Sequence, residues 1–156
     1  MEHRIKGIEQ YKKFLGIALE EAQMGYQEGG IPIGSVIVHK EKIIGRGHNR
    51  RVQQGNPILH AEMDALQNAG RLPASVYTEC TLYTTLSPCI MCSGAILLYR
   101  IRHVVIGENR TFKGAEDLLR SQGVNVELMD DADCLNLLQQ FVVENPNIWH
   151  EDIGES

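Results

Sequence analysis

His60-Ala61-Glu62 and, further along, Pro88-Cys89-Ile90-Met91-Cys92 decide how this chain is read. Together they supply one imidazole, one carboxylate and two thiols. Cys89 and Cys92 are three apart, so a single helical turn projects both to one side, where they can pinch a metal. A thiol at a helix N-terminus loses its proton readily, which supplies thiolate ligands. His60 completes a set of three. Three protein ligands leave the fourth tetrahedral position to water, the mark of a catalytic zinc site. Mixed sulfur and nitrogen ligation favours zinc over harder cations, with one ion per chain.

Glu62 lies two residues from His60. On a helix the two side chains diverge by about 200°, so they do not easily grip one ion. A non-ligand carboxylate beside an activated water is what a proton shuttle requires. Alone, Glu62 reads as a favourable charge in a helix's first turn; the neighbouring ligand set tips it to the shuttle. A closed structural site would need a fourth ligand, and His48 and His103 are the spare imidazoles. A redox pair is another reading of Cys-x-x-Cys. Pro88 stands before the pair and not inside it, and the upstream His-x-Glu favours metal.

Around these segments helices alternate with strands. Phe14, Leu15, Ala18, Ala22 and Tyr26 recur at helical spacing, which predicts a helix from about Tyr11 to Glu28, ended by Gly29-Gly30. Ile33–His39 and Lys42–Gly47 read as a hairpin, and Asn49–Pro57 as a polar loop. His60–Asn68 is expected to be helical, with Gly70 as its stop. Thr81–Leu86 is a strand, followed by a helix to about Tyr99 with Ser87 as cap and Pro88 in its first turn. His103–Gly107 and Val124–Met129 read as strands. Ala115–Ser121 and Asp131–Glu144 read as helices, the second capped near Asp130 or Asp131. This alternation implies an α/β domain with a largely buried sheet.

The 156 residues suit one domain, 1–156, and 43% hydrophobic residues suffice for one core. A net charge of −5 argues against a strongly basic nucleic-acid face. No apolar run reaches the length of a membrane span, and the N-terminus lacks the apolar core of a secretory signal. Cys-x-x-Cys without such a signal points to metal chemistry in a reducing cytoplasm and not to a disulfide framework. Cys80 and Cys134, in apolar stretches, read as packing residues.

At these residues the chain resembles the zinc-dependent nucleobase deaminases of the cytidine deaminase superfamily, which share His-x-Glu and Pro-Cys-x-x-Cys. More narrowly it is similar to the fungal-type cytosine deaminases. That likeness is carried by Glu28-Gly29-Gly30-Ile31-Pro32-Ile33-Gly34, Gly45-Arg46-Gly47-His48-Asn49, Leu82 to Cys89, Gly107-Glu108-Asn109 with Phe112, and the tail Trp149 to Gly154. It implies a three-layer α/β/α cytidine-deaminase-like fold on a central five-stranded mixed sheet, and a homodimer. It implies hydrolysis of a free small nucleobase, foremost cytosine to uracil and ammonia. In its terms His60, Cys89 and Cys92 hold zinc and Glu62 moves protons. Asn49 meets the base near its carbonyl, and Asp152 meets the amino group or orients the polar network. Phe112 and Trp149 wall the pocket, Ile33 packs on the ring, and the backbone around Ala61 and Ser87 offers hydrogen bonds. Residues 146–156 form a tail covering the site.

The chain departs from the fungal pattern at Ala61, where those enzymes carry glycine, and at His150, where they carry an aromatic. Arg100 and Arg102 also replace less charged residues near an expected helix end. His150 is expected at the pocket mouth, where it would change which ring fits. Isocytosine, guanine and creatinine are therefore alternative substrates. A tRNA adenosine deaminase and a non-catalytic zinc protein are the further alternatives.

Overall fold

The computed structural model describes residues 2–155, with side chains described from Gly7 onward. Met1 and Ser156, included in the expected domain, lie outside the described residues. The elements run α1 Glu2–Gln27, β1 Gly34–His39, β2 Lys42–His48, α2 Arg51–Gln54, α3 Ala61–Ala69, α4 Ala74–Thr78 and β3 Cys80–Leu86. They continue with α5 Ile90–Leu98, β4 His103–Glu108, α6 Glu116–Ser121, β5 Asn125–Leu128, α7 Ala132–Glu144 and α8 Pro146–Asp152.

The first helix starts well before Tyr11, because Ile5 to Gln10 contains no proline to stop it and only one glycine, Gly7. Gly29 takes φ +82° where the helix ends, a backbone setting that suits glycine. Lys40 and Glu41 both carry positive φ, the two-residue turn that matches strand twist and closes the β1–β2 hairpin. Three short helices were not expected: α2 inside the polar loop, α4, and α8 in the tail. Each is seven residues or fewer, too short to show a helical period in sequence. Asp131 caps α7, accepting from the Cys134 N–H at 2.9 Å.

The sheet order is β2-β1-β3-β4-β5. β1 pairs antiparallel with β2 and β3, while β3–β4 and β4–β5 are parallel, so the five-stranded sheet is mixed. Alternation along each strand sends neighbours to opposite faces. Val36, Val38, Tyr83 and Val105 meet Phe14, Leu15 and Ala18 of α1 and Cys134 of α7. Ile37, Leu82, Val104 and Ile106 meet Ala65 of α3, Ile96 of α5 and Leu119 of α6. The result is three layers, α/β/α. Both expected packing cysteines are buried, one on each face.

One end of the sheet gathers the functional segments. β2 ends at His48, which pairs with Gly34 at the start of β1. β3 ends at Leu86, beside Glu108 at the end of β4. A third cluster covers that end: Ile31, Ile33, Ala61, Leu86, Leu138, Phe141 and Trp149, which docks the tail. α3 lies close on β2 because a Cβ at Gly47 would come within 2.8 Å of the Ala65 nitrogen. This approach fixes the start of α3, and with it His60 and Glu62, over the sheet end.

Candidate active site

His60 and Cys89 occupy equivalent places. Each is the N-cap residue of its helix, with extended backbone. Cys92 sits in the first turn of α5 and is fully buried. The cap of α5 is thus Cys89, not Ser87 as expected. The Ser87 hydroxyl is committed instead to Glu116, at 2.5 Å.

The two helix starts face each other across the sheet end. Nδ1 of His60 lies 3.4 Å from Cys89 Sγ and 3.7 Å from Cys92 Sγ. Ligand bonds of tetrahedral zinc place a nitrogen and a sulfur about 3.6 Å apart, so the donor set fits that ion. His60, Cys89 and Cys92 are placed to hold a metal ion, their donor atoms within 4.8 Å of one another, with no fourth such donor in the group. The spare imidazoles are occupied elsewhere. His48 sits between Glu21 (3.0 Å) and Glu28 (2.7 Å), and His103 faces the Tyr11 hydroxyl. A closed four-ligand site is therefore not formed among the described residues.

Close packing of the three groups moves each of them away from its ordinary value. Hydrogen bonding from Cys92 outweighs burial and, with help from His60, holds the Cys89 thiol down at about 4. The same contact and burial push Cys92 up. Burial opposes charge on His60, but Asp152 and Cys89 prevail and raise it to about 10. A metal ion replaces protons in such a site. The other ring nitrogen, Nε2, points to Asp152 Oδ1 at 3.4 Å. A carboxylate behind a metal-binding histidine fixes the ring's orientation and tautomer. The sequence did not identify that partner, because it comes from the far end of the chain.

Glu62 is buried, with Oε1 3.4 Å from the Ser35 hydroxyl and 3.3 Å from that of Thr84. Burial pushes its pKa up, His60 partly offsetting this. A carboxyl raised in this way holds a proton more readily than a free one, which suits a group that must take a proton and pass it on.

A small cavity adjoins these groups. It is lined by His60, Glu62 and Cys89, and by Ile33, Asn49, Ala61, Ser87, Phe112 and Asp152. Leu86 and Ile153, which sequence reasoning missed, complete the lining. Trp149 does not line it; buried, it meets Phe112 edge to face at 6.5 Å. His150 is not among the lining residues either: in the tail the lining falls to Asp152, the last residue of α8, and to Ile153 just beyond it.

Asn49 is fully buried, and its amide is oriented. Oδ1 accepts the Arg51 N–H at 3.0 Å, and Nδ2 donates to Asp152 at 2.9 Å. Arg51 is a further residue the sequence did not flag. Its guanidinium donates to the Pro57 carbonyl at 2.8 Å and reaches Asp152 at 3.5 Å, tying the tail to the polar loop. Ala61 is the first residue of α3, so its N–H has no partner within the helix.

A mixed-sheet α/β/α domain with one imidazole, two thiols and a buried carboxyl at the sheet end defines a zinc-dependent hydrolytic deaminase. The family model for the cytidine and deoxycytidylate deaminase zinc-binding region matches residues 8–108, and the chain belongs to that family. It is 54% identical over 145 residues to a cytosine deaminase of Candida albicans, covering 92% of this chain and 97% of that one. It is 41% identical over 144 residues to a tRNA-specific adenosine deaminase of Streptococcus pyogenes serotype M18, covering 86% and 91%. Among solved structures it is similar to a tRNA:A34 deaminase, with a TM-score of 0.69 at 26% identity, over 81% of this chain and 99% of that one.

Proposed function

We propose that this chain deaminates free cytosine, giving uracil and ammonia, with His60, Cys89 and Cys92 as zinc ligands and Glu62 as proton shuttle. The observation that carries the reading is the small cavity beside the ligand set, bounded by the docked tail through Asp152 and Ile153. A flat free base suits such a space better than a nucleotide within a folded RNA. The 54% identity to a cytosine deaminase supports the same substrate.

When bound, zinc supplies Lewis acidity that brings water near its deprotonation point at neutral pH. Glu62 accepts the water's proton as its oxygen adds to C4 of the base. The carboxylic acid so formed gives that proton to ring N3. It then carries the remaining water proton to the amino group as the C4–N bond breaks and ammonia leaves. Asn49 has Oδ1 committed to Arg51 and one Nδ2 hydrogen to Asp152, which leaves the second Nδ2 hydrogen for the base carbonyl. Asp152 receives the amino group and orients His60. Ile33 and Phe112 hold the ring faces, with Trp149 behind Phe112. The Ala61 N–H and the Ser87 backbone address the remaining polar edge. His150 is not among the residues that line the cavity.

Ammonia release by zinc-loaded protein from cytosine, isocytosine, guanine and creatinine tests this reading. Release from cytosine is expected. Release only from another ring would refute the substrate, and none from any ring would refute a base deaminase. The RNA reading has a 41% identical relative on its side. Salt-sensitive tRNA binding with inosine formation would favour it.

The same reading makes the protein a homodimer working in pyrimidine salvage in the cytoplasm. α5 leaves Ile90 67%, Leu98 71% and Tyr99 45% exposed, an apolar face that a second copy would cover. Light scattering is expected to give twice the chain mass, and Leu98→Glu to give monomers. Single-chain mass for the unmodified protein would refute the dimer. Among the described residues, no helix is long and apolar enough to cross a membrane. Four free thiols, two of them proposed ligands, suit a reducing compartment, and cell fractionation tests the location.

A further inference from the structure

Glu116 lies outside the cavity yet is almost fully buried, on the short helix α6. Its two oxygens gather the wall of the site. Oε2 accepts the Ser87 hydroxyl at 2.5 Å, and both oxygens accept from Asn109 Nδ2, at 3.2 and 3.3 Å. The half-exposed Arg120 guanidinium stands 3.6 Å from Oε1. Ser87 in turn accepts the Gly114 N–H at 2.9 Å, and the Pro88 carbonyl accepts the Ala115 N–H at 3.1 Å. Gly114 lies so close to the Pro88 carbonyl that no Cβ fits between them.

These bonds grip both flanks of Phe112. On one side Asn109 is held by Glu116, while Arg110 and Thr111 donate backbone N–H groups to Glu108 at 2.8 and 3.0 Å. On the other side Gly114 and Ala115 are held by Ser87 and Pro88, the two residues before Cys89. A buried group with only acceptor oxygens is what joins a hydroxyl and an amide N–H₂, since both donate.

We propose that Glu116 is a positioning residue for base affinity: it locks the Phe112 wall and the Ser87-Pro88 turn into one unit against the metal-binding helix α5. The proposal rests on the reading of Ser87 and Phe112 as walls for a flat base. Glu116→Gln sets an amide N–H₂ against Asn109 Nδ2 and the Arg120 guanidinium, which can only donate, and so opens the join, because buried polar groups left unpaired are costly. The wall then loosens while Glu62 and the ligand set stay in place.

The test uses the zinc-loaded protein, E116Q, S87A and the double variant. Cytosine KM is expected to rise about tenfold in each single variant, with kcat changed less than about threefold. The double variant is expected to fall short of the sum of the two single ones, because the two residues share one bond of the clamp. Zinc is expected to stay at one ion per chain. The Gly114 amide is expected to exchange its hydrogen faster in all three variants. An unchanged KM, a kcat or zinc content that falls in step with it, or fully additive effects would overturn the proposal. Hydrogen exchange separates it from the substrate reading. Unmodified protein that ignores cytosine while E116Q still speeds Gly114 exchange would sink cytosine and uphold the clamp. Unaltered exchange at Gly114 with cytosine turnover intact would sink the clamp alone.

Discussion

Replacing Glu62 by glutamine should abolish most turnover without harming the fold. The change keeps the side chain's shape and exchanges one oxygen for an amide nitrogen. The hydrogen bonds at stake are long, 3.4 Å to Ser35 and 3.3 Å to Thr84, and both partners are hydroxyls that can rotate to accept as well as donate. Ser35 and Thr84 also keep each other, at 3.0 Å. Burial already disfavours the charged form of Glu62, so a neutral side chain adds no desolvation cost. Stability should therefore change by less than about 1 kcal/mol. The loss falls on proton transfer, which contributes about 10²- to 10⁴-fold, or about 2.7–5.5 kcal/mol of barrier. The assay is steady-state ammonia release on protein with its zinc content measured and its thermal unfolding recorded beside the unmodified chain. The expected result is kcat down by at least about a hundredfold, with full zinc and a similar midpoint. Turnover within about tenfold of the unmodified protein would refute the shuttle assignment. Lost zinc would show instead that Glu62 supports the ligand set.

Further outcomes follow from the same geometry. Trp149→Ala empties a buried site in the cluster that docks the tail; such truncations cost about 3–5 kcal/mol when the surroundings cannot collapse. We expect faster hydrogen exchange across Pro146–Asp152 and a raised KM, and an unchanged KM would argue against the tail as part of the pocket. Chelation should remove activity and lower the unfolding midpoint, because a metal bound only by the folded state stabilises it; zinc should restore both, and chelator-resistant turnover would exclude a metal-assisted reaction. Burial lowers the His103 pKa below its usual 6.5, Glu127 opposing it weakly. The unfolded chain then binds the extra proton more readily, so this stability is present above about pH 6.5 and is lost as pH falls through the lower folded value. Denaturant titrations from neutral to mildly acidic pH should show that slope, and His103→Phe should flatten it; an equal slope in the variant would refute the assignment.

The local code of this chain was open to direct reading. Cys89 and Cys92 bracket the start of α5, and His60 and Glu62 the start of α3, so each pair stays close wherever its helix goes. Continuous apolar runs marked the long strands, since a residue pointing to either face of a covered sheet is buried. The five strands and the order of the long helices were therefore legible. The short elements were not, because α2, α4 and α8 hold their shape through tertiary contact and not through an apolar repeat. Ser87 looked like a helix cap because serine before proline usually is one. Glu116, distant in sequence, draws the hydroxyl away, and the cap falls to Cys89.

Residue type and spacing alone pointed to the ligand set and its chemistry, because an imidazole, a carboxylate and two thiols at these intervals suit a catalytic zinc site. Only the folded chain decided what surrounds that set. Asp152 stands behind His60, Arg51 ties down the tail, Ile153 joins Ile33 in the cavity wall, and Glu116 braces Ser87. Each of these pairs joins residues distant in the chain. Which of them meet depends on how helices and tail pack around the sheet end, and no local pattern encodes that.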